Sequence, residues 1–233
     1  MPYRRLPNTD NARLKALETL LNNNEIYTVR NRFIEWNTIN EAKRVYNKML
    51  TANEQYKIVK QTRIRQSKRT TQPHKKALMY VSHFLQVMLL SVERGEIRKT
   101  QLPLYQLDTE TKSLPKINTV SSLLMWGENI IAGEKERIKK GGRPILNPTI
   151  GMVATHFDIF KETLNAFSQI KEQEKKVANE MKQLRIDADK VILDLWNQIE
   201  KHFQNLEKSE YIETCRGFGV IYYYRKDEQN TEL

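Results

Sequence analysis

The chain has 233 residues, with 39 Lys and Arg against 28 Asp and Glu (net charge +11) and 39% apolar residues. Eight Gly and seven Pro supply too few turns for a β-sandwich or barrel, which needs one every ~8–12 residues. The single cysteine, Cys215, excludes an internal disulfide framework and a cysteine-built zinc site, and Met1–Asp10 carries no apolar leader, so the expectation is a mostly helical, cytoplasmic protein.

Asn8-Thr9-Asp10 reads as a helix start, followed by Leu14, Leu17 and Leu21 on one face and by Asn22-Asn23-Asn24 as the stop. Thr28 is the expected cap of a second helix carrying Val29, Phe33 and Trp36 in one stripe. The phase slips at Thr38, where a kink is expected. It resumes as Ala42, Val45, Met49, Ala52, Tyr56 and Val59, a 3-4 alternation that fades after Arg65. Pro73 is expected to open the next helix. Residues 77–92 are nearly all apolar, interrupted by His83. Sixteen residues span ~24 Å, short of the ~30 Å of a bilayer, so a buried core helix with His83 inside it is expected, closed by Gly95.

Residues 96–118 lack helical periodicity, and Leu104-Tyr105-Gln106-Leu107 reads as a short strand. Thr119 starts a helix with Leu123, Gly127, Ile130 and Ile131 on one face, where Gly127 admits a close neighbour and Gly141-Gly142 stops the helix. Asn147 is the expected cap of the following helix, with Pro148 at its first position. Ile150, Val153, Phe157, Phe160, Leu164 and Phe167 form its stripe. After the polar stretch 171–176 the phase continues through Met181, Ala188, Ile192, Leu195, Ile199 and Leu206, as one helix of about 60 residues or two broken near Arg185–Asp187. Val220–Tyr224 is strand-like, with 104–107 as its expected partner. The architecture expected is all-α: elongated antiparallel helical bundles with long coiled-coil-like helices and a minor two-stranded ribbon. Its parts are a basic N-terminal half over 1–98, a linker over 99–118 and a C-terminal half over 119–233.

Met1-Pro-Tyr-Arg-Arg-Leu-Pro-Asn-Thr-Asp10, Tyr80-Val-Ser-His-Phe84, Gly141-Gly-Arg-Pro-Ile145 with Asn147-Pro-Thr-Ile150, and Val220-Ile-Tyr-Tyr-Tyr-Arg225 together resemble a family of bacterial helical proteins with no assigned activity. The resemblance implies a helical fold with a small C-terminal strand and transfers no site.

The catalytic inventory is thin. His74, His83, His156 and His202 have no acid or second His three or four residues away, the spacing a helical metal site uses. No phosphate-cradling glycine motif occurs. Asp187, Asp189 and Asp194 read as a cap and a solvated face, and Cys215 as an inert thiol. Trp126, Trp196 and His202 read as core packing, and Tyr222-Tyr223-Tyr224 with Arg225 as an edge strand. No catalytic, cofactor-binding or metal-ligating residue is expected, and no enzyme.

Charge is the informative feature. Residues 1–76 hold 17 Lys and Arg against 6 Asp and Glu, whereas residues 77–233 hold 22 of each. No acid lies between Glu54 and Glu93. Lys57, Lys60, Arg63, Arg65, Lys68, Arg69, Lys75 and Lys76 are the candidate anion contacts. The first six spread over about two thirds of a helical circumference, which suits loose phosphate contact better than groove reading. Two functions are therefore expected: a non-enzymatic scaffold that meets protein partners or itself through helix seams, or sequence-independent binding of nucleic acid through 57–76.

Overall fold

The computed structural model describes residues 3–28, 32–111 and 113–224. Its elements are β1 (Tyr3–Arg4), α1 (Asp10–Leu21), α2 (Trp36–Glu93), a 3-10 helix (Lys99–Tyr105), α3 (Val120–Lys139), α4 (Ile150–Phe203), α5 (Lys208–Gly217) and β2 (Tyr222–Tyr223), with a further 3-10 turn at Asn24–Tyr27. The fold is all-α with a small antiparallel ribbon, and no described helix is long and apolar enough to cross a membrane.

The chain divides into two compact units that cut across sequence order: residues 1–60 with 173–233, and residues 61–172. The partition into 1–98, 99–118 and 119–233 therefore does not coincide with the packing, because α2 and α4 each supply one half to either unit.

In the first unit α1, the first part of α2 and the last part of α4 enclose Leu17, Leu20, Ile39, Met49, Met181, Ile192, Trp196 and Ile199, each no more than 1% exposed. α2 and α4 run antiparallel here, since Thr38 Oγ1 donates to Asp194 and residues 47–55 of α2 face 180–187 of α4. Thr9 caps α1 by accepting from the Ala12 N–H at 3.2 Å. Arg13 forks onto Asp189 (2.7 and 2.8 Å), and Arg185 onto Asp10 (2.7 and 2.8 Å). β2 pairs with β1, Tyr3 opposite Tyr223 and Arg4 opposite Tyr222, and not with 104–107. Arg4 and the Tyr222 hydroxyl both reach Glu200 of α4, at 2.7 and 2.6 Å, and this anchors the ribbon.

In the second unit the later part of α2 packs on α3 and on the first part of α4. The core holds Ala77, Val81, Phe84, Met88, Leu102, Tyr105, Leu123, Ile130, Val153, Phe157 and Phe160. Residues 77–92 supply that core as expected, but from one face: Met79, His83 and Leu90 point to solvent. His83 is thus an exposed residue rather than a core histidine. A Cβ on Gly127 would overlap the Phe157 ring, so only glycine lets α4 approach α3 there.

Several local expectations give way to packing. α2 begins at Trp36 rather than at Thr28; 29–31 of the expected earlier helix lie outside the described residues, and 32–35 are not helical. No break occurs at Thr38, whose hydroxyl is buried against Asp194 and Gln198. The helix continues through Pro73, with His74 edge-on to Phe160 and Tyr80 stacked on His156 beyond it. Residues 104–107 close a 3-10 helix in place of a strand. Thr149, not Asn147, caps α4, accepting from the Met152 N–H at 3.3 Å. α4 is one helix of 54 residues, unbroken at Arg185–Asp187, and Leu206 falls beyond its end. Residues 208–217, assigned nothing from sequence, form α5.

Candidate anion-binding face

An α-helix turns about 100° per residue, so position in sequence fixes the side on which a residue lies. In the second unit the buried α2 residues Ala77, Val81, Phe84, Leu85, Met88, Leu89 and Val92 fall within a sector of about 140°. Arg65, Lys68, Arg69, Lys75 and Lys76 fall within a sector of about 120° whose centre lies roughly opposite. All five are exposed. None has an ion pair among the described residues.

The other three candidates differ from these five. Lys57 pairs with Glu54 at 2.7 Å, and Lys60 lies 6.0 Å over the Tyr56 ring. Arg63 is half-buried and already engaged. The wide angular spread read from sequence came from counting Lys60 and Arg63 with the rest. Removing the engaged members leaves one narrow basic face, about 16 Å long from Arg65 to Lys76.

A second polar constellation was not anticipated. The Tyr105 hydroxyl donates to Glu134, and Arg137 donates to Glu134 through Nε and Nη2, each at 2.8 Å. Arg137 Nη2 also reaches the Arg143 carbonyl at 2.6 Å, and the Ile145 N–H donates to Glu134 Oε1 at 3.1 Å. Glu134 is 0% and Arg137 2% exposed. Burial, and then the Glu134 carboxylate, push the Tyr105 hydroxyl far above its ordinary pKa, while the hydrogen bond to Glu134 raises that of Arg137. The sequence signal was present: Leu123, Gly127 and Ile130 lead at the same 3-4 spacing to Glu134 and Arg137, two charges on an apolar stripe. Every group has a partner, so the cluster ties α3 to the 3-10 helix and to the 141–149 turn.

The remaining sequence candidates are dispersed. His202 is exposed and stacked on Phe33 at 4.5 Å, where core packing was expected. Asp189 binds Arg13, Asp194 accepts from Thr38 and Gln198, and Asp187 accepts from Gln183 within α4, so these acids are partnered and none is a helix cap. Cys215 is fully buried, and burial pushes its thiol up. Trp196 is buried and Trp126 half-buried. Tyr222 is held by Glu200, and Tyr224 lies under the Arg216 guanidinium at 5.7 Å. Arg225 lies outside the described residues. Among the described residues no group of three or more His, Cys, Asp or Glu is placed to hold a metal ion.

No family model matches the chain, and neither the curated proteins nor the solved structures contain a match, so the resemblance to bacterial helical proteins rests on its motifs alone.

Proposed function

We propose that this chain is a non-enzymatic helical scaffold that binds nucleic acid through its phosphates, independently of sequence, using the exposed face of α2 in the second unit. The observation that carries the reading is the set of five exposed cations, without ion-pair partners among the described residues, opposite the core-facing side of one helix. Uncompensated charge at that density gains most from a polymer whose counterions it can release. The apolar seams that pointed to helical protein partners are taken up within the chain: Val45, Met49, Val153, Phe157, Ile192 and Ile199 are all buried in its own cores. A cytoplasmic setting accords with one buried, unpaired cysteine.

The test is a salt titration of binding to a labelled duplex. Five phosphate contacts predict a slope of log K against log salt near −4.5, from about 0.9 per phosphate. Changing Arg65, Lys68, Arg69, Lys75 and Lys76 to Gln should abolish the slope and weaken binding to all sequences alike. Absence of any complex at about 150 mM salt with micromolar duplex or single strand would overturn the proposal.

A further inference from the structure

The basic face has an internal order that bears on which nucleic acid it fits. Lys68 and Lys75 lie on one line of α2, while Arg65, Arg69 and Lys76 lie on another about 90° around the helix. Between them runs a neutral line of Gln61, Gln72 and Met79, all exposed, with Met79 at 55%. Between Arg65 and Lys76 no exposed residue of α2 carries an aromatic ring; His74 and Tyr80, half-buried, are already in ring contact with Phe160 and His156, and the exposed His83 lies about two turns beyond Lys76.

Resting on the binding reading above, we infer that the ligand is duplex DNA and that α2 lies in its major groove, the two basic rows facing the phosphates of opposite strands. A helix with side chains is about 10–12 Å across, and the major groove is about 12 Å wide. Two cationic rows flanking an uncharged line match a groove with anionic walls and a neutral floor. A flat anionic surface would not select for the gap between the rows. Single strands are held by a charged groove together with stacking on aromatic rings, and between Arg65 and Lys76 this face offers no ring. Duplex RNA is excluded by the same geometry, because its major groove is deep and too narrow for side chains to read. The neutral line of amides and a thioether carries no charge toward the bases, in keeping with contact that positions the helix by phosphates.

Fluorescence anisotropy of the full chain with labelled duplex DNA, single-stranded DNA and duplex RNA tests this inference, together with methyl green as a major-groove competitor and netropsin as a minor-groove one. Duplex DNA should bind at least about tenfold more tightly than the other two, and methyl green should displace the protein while netropsin does not. Two double variants read the two rows separately: K68Q/K75Q and R65Q/R69Q should each reduce the salt slope by about 1.8, and their effects should add. All four residues are exposed, so folding is not at stake. Displacement by netropsin alone, equal affinity for single strands, or loss confined to one row would overturn the groove inference and leave phosphate binding standing. Failure of every nucleic acid to bind would overturn both.

Discussion

Arg137 shows how far a single charged residue can be committed to structure. Its guanidinium is 2% exposed and carries bonds to Glu134, Tyr105 and the Arg143 carbonyl. Removing one member of a buried ion pair strands the other in a medium that solvates it poorly. Arg137→Met should therefore cost about 3–5 kcal/mol in urea denaturation. Lys161 pairs with Glu128 at a similar 2.8 Å but in solvent, and Lys161→Met should cost less than about 1 kcal/mol. The contrast measures burial, since the pair distances are alike.

Among the elements, α2 departs most from what its sequence spells locally. Pro73 has no N–H for the Arg69 carbonyl and sits inside 58 helical residues. The hydroxyls of Thr70 and Thr71 donate to the carbonyls of Gln66 and Ser67, one turn back. Pro73→Ala should restore the missing bond and raise stability by about 1–3 kcal/mol, read as a higher urea midpoint with unchanged slope. Features whose cause lies within one turn were legible: the Thr9 and Thr119 caps, Gly95 as a stop at φ +77°, and the close approach at Gly127. Features decided by distant packing were not. A proline and a run of polar residues read as helix ends, yet α4 packing beside α2 carries the helix through them. The β1–β2 pairing joins Tyr3 to Tyr223, a separation no local pattern encodes. α5 escaped notice because only Ile212 and Cys215 are buried within it. The candidate face was half legible: the acid-free run gave its residues, but which cations were already engaged depended on burial and partners.

Over the whole chain, a net charge of +11 makes acid the weak side, because protonating carboxylates adds to a positive self-repulsion. Asp10 is one carboxylate that resists. The Arg185 fork, with Arg13 nearby, holds its pKa below the ordinary value. A pKa depressed in the folded state contributes stability that is present above about pH 4 and is lost as pH falls through the lower folded value. Asp10→Asn should cost about 1 kcal/mol at neutral pH, the modest size reflecting a partner Arg185 side chain 42% exposed. Urea midpoints of the two proteins should converge as pH falls through the lowered Asp10 value.

The division of the chain also sets an order of manufacture. Residues 61–172 are contiguous, so that unit has all its parts once Glu172 has left the ribosome. The other unit begins earlier and finishes later, since Leu17, Leu20, Ile39 and Met49 are covered by Met181, Ile192, Trp196 and Ile199. At roughly 5–20 residues per second, those early apolar residues wait on the order of ten to thirty seconds for their partners to be synthesised. Those apolar residues are the ones most in need of a chaperone, and the ribbon joining Tyr3 to Tyr223 pairs only after the same wait.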